Sequence, residues 1–227
     1  MQICNSCHAG CCRKHNIDIT GIDILNIAET LNLDISFFSE ALPNDDQYVK
    51  AMLNKVPLLK FTDGEPDKYY RMCLKMREST LFPNSLKCMF LQEWIDENPD
   101  SANFNKVIAR CGIYNIRPLT CSTYPAKLEQ NSLSAYYIDP FISSEENTNP
   151  AYKACPRPLS KDDFDNNSAN MMKDLVLYKF EMDFFKMLSE KWNKNPRASD
   201  DLITFLKEEY KNRVKFTPKE ISSPQKN

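Results

Sequence analysis

The sequence predicts an α+β fold, mainly α-helical and irregular, in which a small domain is followed by a C-terminal helical extension. Three observations lead to this prediction. Cysteines crowd into CNSCHAGCC at residues 4–12, short apolar segments separated by turn residues follow, and helical periodicity dominates from residue 169. We place the first domain at 1–158 and the extension, which ends in a loose tail, at 159–227.

Two helices are expected soon after the cysteine-rich stretch. Thr20, followed by Asp23, has the pattern of an N-cap with its acidic partner, and apolar residues at helical spacing predict a helix over 21–31. A second helix is expected over about 35–42, where Pro43 ends it.

Turn and breaker residues organise the middle of the chain. Residues 56–61 and 69–76 flank a Thr62–Asp63–Gly64 turn signal and predict a β-hairpin. Residues 107–125 contain two prolines and two cysteines and are expected to be irregular. Residues 133–142 have the composition of a strand.

The C-terminal region is predicted to be helical. The polar stretch 143–168 is a connector, and 169–192 is expected to form a long helix that packs on a core or on an unknown protein partner. Ser199 is expected to cap a last helix to about 213. The stripe of the long helix comprises Met171, Leu175, Tyr178, Met182, Phe185 and Trp192, with Val176, Phe180, Phe184 and Met187 beside it.

Composition and charge exclude several classes of function. Only four glycines occur, and the sequence contains neither GxGxxG nor GxxxxGK[ST], so backbone cradles for dinucleotides and triphosphates are not visible. The formal net charge is −2 and the basic residues are scattered, which does not indicate a nucleic-acid partner. No apolar run reaches the roughly 20 residues of a membrane span, so we expect no membrane insertion.

The nine cysteines predict a metal site. No apolar signal segment follows Met1, so we expect a cytoplasmic protein in a reducing compartment, where clustered cysteines are metal ligands or catalytic groups rather than disulfides. A thioredoxin-type redox pair would require a βαβ pattern, which is missing. Thiolates are soft ligands that select zinc, copper(I) or iron–sulfur clusters. We therefore expect the first domain to be organised around a cysteine-ligated metal site.

The spacing of the first cysteines suggests how they divide. If residues 4–12 wound helically at about 100° per residue, Cys4, Cys7 and Cys11 would share one sector and Cys12 would point away. Two four-ligand centres, or one centre with a second cysteine group, both remain open.

Three further residues have weaker claims to the site. Cys73 lies between apolar residues and is expected to be a buried structural thiol. His8 and His15 are the two histidines of the chain, and either is a possible ligand, although surface positions beside the cluster are favoured.

Several separated motifs resemble one known family. These are C-x2-C-x3-CC at 4–12, DITGIDILNIAETLNLDISFF at 18–38, CMFL at 88–91, CGIYNIRPLTCSTYP at 111–125, and Cys155. In this order they resemble the CxxCxxxCC family of zinc- or iron-chelating proteins. The resemblance covers about 4–158 and leaves the helices of 159–227 without an assigned chemistry.

The resemblance implies a ligand set and one supporting residue. The implied ligands are Cys4, Cys7, Cys11, Cys12, Cys88, Cys111, Cys121 and Cys155. Arg117 matches the motif too, and we interpret it as an ordering or charge-balancing residue beside electron-rich thiolates. Tyr114 and Tyr124 are expected to pack around the site. Cys73 falls outside the family pattern.

Three functions follow as hypotheses. The first, favoured because thiols dominate and histidine is scarce, is a cytosolic protein holding an iron–sulfur cluster, 4Fe–4S by preference, with a redox or protein-modifying role. The second is a zinc-stapled module whose C-terminal helices recruit a partner. The third is a metal-dependent protein-lysine methyltransferase, because the family includes the cysteine-rich protein that methylates flagellin lysines. This chain shows no glycine-rich methyl-donor loop, and no catalytic residue is identified.

Overall fold

The protein combines helices with small antiparallel sheets, as expected for an α+β fold. A computed structural model describes residues 9–124, 126–128, 135–137 and 168–215. The helices are α1 (Cys11–Lys14), α2 (Gly21–Leu31), α3 (Ile35–Phe38), α4 (Asp46–Met52), α5 (Leu119–Thr123), α6 (Ser168–Asn193) and α7 (Leu202–Lys215). The strands are β1 (Ser39–Pro43), β2 (Tyr70–Leu74), β3 (Met76–Glu78), β4 (Leu86–Cys88), β5 (Leu91–Ile95), β6 (Val107–Cys111), β7 (Ala126–Leu128) and β8 (Ala135–Tyr137). Within the described ranges the strands pair as β1–β2, β3–β4, β5–β6 and β7–β8.

Helix α2 confirms the capping pattern that the sequence predicts. The backbone N–H of Asp23 donates to the Thr20 hydroxyl at 3.3 Å, and the Thr20 N–H donates to the Asp23 carboxylate at 2.8 Å. These reciprocal bonds satisfy donors that a helix N-terminus otherwise leaves free. The helix ends at Asn32, whose φ of 49° is the left-handed conformation common at helix C-termini.

The helix predicted over 35–42 is only partly correct. Helix α3 ends at Phe38, and the following residues form β1, which pairs antiparallel with β2. Backbone pairing with a strand about thirty residues later therefore replaces the helical turn that the local sequence favours. Such tertiary override is common, because intrinsic propensity is a weak preference.

The β-hairpin predicted between 56–61 and 69–76 does not form, because the second segment pairs with a different strand. Strand β2 pairs with β1, and the earlier segment contributes a single isolated bridge between Leu59 and Tyr70. The two backbone bonds of this bridge measure 2.8 and 3.0 Å. The segment therefore lies against β2 without forming a strand of its own.

Residues 107–125 are more regular than predicted. They form β6, a 3₁₀ turn at Tyr114–Ile116 and α5. The proline that suggested irregularity, Pro118, occupies the N-cap of α5, where its missing N–H does no harm. The predicted strand at 133–142 is represented by β8, and the rest of that range is outside the described residues.

The long C-terminal helix is confirmed as α6, and its apolar stripe is confirmed in part. Met171, Leu175, Phe185 and Trp192 are buried, whereas the flanking residues Val176, Phe180 and Met187 are exposed. Ser199 does not cap the last helix as predicted. It lies in a 3₁₀ turn before α7, where its N–H and hydroxyl both donate to the Asp63 carboxylate.

One hydrophobic cluster joins the N-terminal elements to the C-terminal helices. It is built from α2, α3, β2, β5 and the facing sides of α6 and α7. Trp192 lies at its centre with its ring 5.9 Å from Phe61 and 5.2 Å from Phe205, and its indole N–H donates to the Lys60 carbonyl at 2.6 Å. The domain boundary predicted at 158 falls outside the described residues. No helix in the described part of the chain is long and apolar enough to cross a membrane.

We expect Leu188→Ala to lower the free energy of unfolding by about 3 kcal/mol, because removing a fully buried leucine leaves a cavity. Leu177, on the same helix, is 41% exposed. The matched Leu177→Ala change should therefore cost less than about 1 kcal/mol. Urea denaturation followed by circular dichroism measures both variants, and equal losses would show that α6 does not pack this face on the core.

Candidate metal centre

Five of the predicted ligands lie in the described residues, on four separate elements. Cys11 and Cys12 are on α1, Cys88 ends β4, Cys111 ends β6, and Cys121 lies in α5. Cys88 is buried and the other four are half-buried. The remaining three predicted ligands, Cys4, Cys7 and Cys155, lie outside the described residues.

The β-sheet register brings Cys88 and Cys111 to the same end of a ladder. Strand β5 begins at Leu91, which pairs with Cys111, and Cys88 precedes Leu91 by three residues. The Gly112 N–H donates to the Phe90 carbonyl at 2.8 Å, which extends the pairing beyond the strand ends. The Cys88 thiol thus lies just before β5, and the Cys111 thiol lies at the end of β6.

Helix α1 brings the sulfurs of its two cysteines close together. Ala9, whose φ of 59° lies in the left-handed region, directly precedes Gly10, the N-cap of this single turn. The sulfurs of Cys11 and Cys12 lie 3.9 Å apart, although consecutive residues of a helix are rotated by about 100°, and the expected division of the two cysteines between different ligand directions stays a prediction. Two thiolates on one tetrahedral zinc would be about 3.8 Å apart, given zinc–sulfur bonds of about 2.3 Å. The vicinal pair thus has a separation that suits two ligands of one centre.

Two aspartates from the N-terminal segment hold α5, which carries Cys121. The Leu119 N–H donates to the Asp23 carboxylate at 3.0 Å, and the Thr120 hydroxyl donates to the Asp18 carbonyl at 2.9 Å. Asp23 is buried, and burial raises its pKa, although its hydrogen bonds to Thr20 and Leu119 act in the opposite direction. The sequence identifies Asp23 as a capping residue, but its second role of joining α2 to α5 requires the tertiary structure.

The two thiols of α1 differ sharply in acidity. A hydrogen bond from Cys12 lowers the pKa of Cys11 to about 7 despite burial. The same hydrogen bond raises the pKa of Cys12, with burial and the charges of Cys11, Cys121 and Cys88 adding to the effect. The hydrogen bond that the two thiols share thus favours ionisation of Cys11 over ionisation of Cys12.

The three later thiols resist ionisation because they are buried and close to other thiols. Burial raises the pKa of Cys88 to about 11, and the charge of Cys111 raises it further. Burial also raises the pKa of Cys111 and of Cys121, and Cys121 is affected in addition by the charges of Cys11, Cys88 and Cys111. These mutual effects place the five thiols in one neighbourhood.

Backbone N–H groups and two arginines, Arg77 acting on Cys88 and Arg117 acting on Cys111, oppose this repulsion. Phe90 and Leu91 donate backbone hydrogen bonds to the Cys88 thiol, and Ile113 donates one to Cys111. The Arg117 charge also lowers the pKa of Cys111, while its guanidinium stacks 4.1 Å above the Tyr114 ring. This position is compatible with the charge-balancing role of Arg117, which stays a prediction. Tyr124 packs against His15, with ring centroids 6.1 Å apart.

Cys73 lies apart from these thiols. It is fully buried on β2, and its thiol donates to the Asp18 carboxylate at 3.1 Å. Burial and the Asp18 charge raise its pKa, so it is an unreactive thiol in the folded protein.

The chemistry of the donor set fits a thiophilic metal. Across the described residues no group of three or more His, Cys, Asp or Glu side chains is close enough to hold a metal ion. The five gathered thiols nevertheless share one neighbourhood, and a bound cation would offset the burial and the mutual repulsion that now keep most of them protonated. The assignment of all eight cysteines as ligands stays a prediction.

The fold and this cluster define a small α+β protein with a thiol-rich site. A family model named CxxCxxCC, described as a "putative zinc- or iron-chelating domain", matches residues 3–156, and the chain belongs to this family. The matched region contains the five gathered thiols and ends before α6. No curated protein and no solved structure gives a match.

In the metal-free chain we expect iodoacetamide to modify Cys11 before Cys88. At pH 7.5 a thiol with the pKa of Cys11, about 7, is mostly thiolate. One with the pKa of Cys88, about 11, is ionised in only about one molecule in three thousand. The Cys11 rate should rise through pH 7 and level off above pH 8, as measured by peptide mass spectrometry. A Cys11 rate that keeps rising to pH 10 would contradict the lowered pKa.

Proposed function

We propose that this chain is a cytosolic metal-binding protein whose clustered cysteines hold an iron–sulfur cluster with a redox or protein-modifying role. The observation that carries the proposal is that five thiols from four elements, most of them half-buried, affect one another's pKa and so lie in one neighbourhood. Membership of a zinc- or iron-chelating family supports the general metal-binding function.

The donor chemistry favours iron–sulfur over zinc. All the gathered donors are thiols, and thiolates are the usual ligands of iron–sulfur clusters. The backbone N–H groups that donate to Cys88 and Cys111 are of the kind that tunes the potential of such a cluster. Four cysteines hold one cluster of this kind. The ligands would come from Cys11, Cys12, Cys88, Cys111 and Cys121 and from cysteines outside the described residues, at one centre or at two. When bound, the cluster would supply electron transfer or Lewis acidity, and Arg117 would offset part of its negative charge.

A zinc-stapled interaction module is the second candidate. Zinc accepts all-cysteine sites, and such sites contribute directly to folding. The observation that favours this candidate is the exposed apolar side of α6. Val176, Leu177, Phe180 and Met187 are between 41% and 54% exposed, which would suit a protein partner.

Metal content separates the two candidates. Anaerobically purified protein should be brown, with broad absorbance from sulfur-to-iron charge transfer and with matching iron and labile sulfide. Colourless protein with stoichiometric zinc would reject the iron–sulfur proposal and support the zinc-stapled module. Protein that binds neither metal would reject both.

We expect Cys121→Ser to lower metal content and stability far more than Cys73→Ser. A structural metal site is worth on the order of 10 kcal/mol of folding free energy, and losing one ligand removes a large part of it. Serine at position 73 retains a donor for Asp18, which makes this variant a matched control. Thermal denaturation and metal analysis of the two purified variants measure the difference. Equal behaviour would contradict a ligand role for Cys121.

A further inference from the structure

Glu93 is a carboxylate whose side chain has no exposed surface. Its Oε1 accepts hydrogen bonds from the Lys87 ammonium at 2.8 Å, the Ser79 hydroxyl at 2.7 Å and the Thr80 N–H at 2.9 Å. Its Oε2 accepts one from the Arg13 guanidinium at 2.6 Å. Burial acts to raise the pKa of Glu93, but these hydrogen bonds outweigh it and hold the pKa well below its usual range. The residue is therefore a permanent buried anion between two cations.

Both cations are sequence neighbours of gathered cysteines. Arg13 directly follows Cys12, and Lys87 directly precedes Cys88. Helix α1 contacts strand β4, and the charge of Cys88 acts on the pKa of Cys12. One carboxylate thus connects the two segments that carry these thiols, with one oxygen directed to each cation.

The side chains that join Glu93 to its two cations are also held in a defined geometry. The Ser79 hydroxyl and the Thr80 N–H both donate to Oε1 and so fix the orientation of the Glu93 carboxylate. The Arg13 guanidinium is also held over the Phe82 ring, 4.7 Å from its centroid. Arg13 has side-chain exposure of 11% and Lys87 of 4%, so water competes little with either bond.

We propose that Glu93 is a positioning residue of the cysteine cluster, which sets the separation of Cys12 and Cys88 by binding Arg13 and Lys87 at once. The proposal rests on the proposed metal-binding function, because a metal requires its sulfur ligands at defined separations. A contribution to stability alone would not require both cations to adjoin cysteines. Buried ion pairs are often replaceable by apolar residues without loss of stability, so stability is a weak reason for this one.

Two variants and one control test the proposal in the full-length chain. Arg13→Met removes the link to α1 but leaves Glu93 bonded to Lys87, Ser79 and Thr80, so we expect it to fold. Glu93→Gln removes the central charge. The control is Glu181→Gln, which alters another buried carboxylate with an arginine partner, Arg213 at 2.9 Å, that adjoins no cysteine.

Two readouts distinguish positioning from general stability. Competition with a chromophoric chelator measures the zinc dissociation constant, and amide hydrogen exchange without added metal measures the order of α1. We expect Arg13→Met and Glu93→Gln to weaken zinc binding by about 10- to 100-fold, as is typical when partners of ligands are removed. Exchange within α1 should rise about tenfold, since its docking contact is lost. Glu181→Gln should retain both wild-type values even where it lowers the unfolding midpoint.

Each result decides a separate question. Zinc binding by Arg13→Met and Glu93→Gln that equals the Glu181→Gln control would overturn the positioning role. A wild-type chain that binds neither zinc nor iron would overturn the proposed function instead. In that event, faster amide exchange in α1 of the Arg13→Met variant than in the wild type would still support Glu93 as the residue that positions the thiols. Unchanged exchange would reject the positioning role.

Discussion

The gathering of thiols from α1, β4, β6 and α5 into one neighbourhood is the constraint on which the arrangement of the described residues 9–124 depends. These elements are three to five residues long, and neither a single helical turn nor a two-stranded ladder is stable alone in water. Each one is therefore anchored elsewhere. Asp23 and Asp18 hold α5, Glu93 holds α1 to β4, and β5 holds β6. Polar bonds between segments take the place of long regular elements around the cluster.

Charge explains why the anchoring groups differ. Glu93 faces two cations and is stable as an anion, whereas Asp23 is surrounded by N–H and hydroxyl donors, and burial raises its pKa. Burial keeps most of the thiols protonated in the absence of metal, while the charges of Arg77 on Cys88 and of Arg117 on Cys111 act in the opposite direction. A thiophilic metal would displace those protons and supply further positive charge.

The sequence predicts those parts of the structure that local interactions determine. The capping box of α2 and the periodicity of α6 depend on residues within one or two turns. The capping box is confirmed, and the apolar stripe of α6 is confirmed in part. Strand β1 was predicted as helix, because its pairing partner β2 is remote and local propensity does not report it. For the cluster, motif order correctly indicates the family, but the 3.9 Å approach of the Cys11 and Cys12 sulfurs depends on the folded conformation of α1. The only feature of the sequence that indicates Glu93 is its position as a lone acidic residue within an apolar strand. Its role follows only from the folded positions of Arg13 and Lys87.

The C-terminal helices, although outside the family match, support the segment that carries Cys121. A Cβ added at Gly21 would lie 3.0 Å from the Tyr210 ring, so α7 packs closely on the first turn of α2, next to Asp23. Helix α6 in turn contacts α5, where Tyr178 hydrogen-bonds Thr120, the residue before Cys121. Asp23 and Thr120 both orient α5. Helix α7 therefore supports the cluster through α2 and Asp23, and α6 supports it through Thr120. The helical extension is therefore part of the framework that holds the Cys121 thiol among the others, in addition to presenting the exposed apolar side of α6.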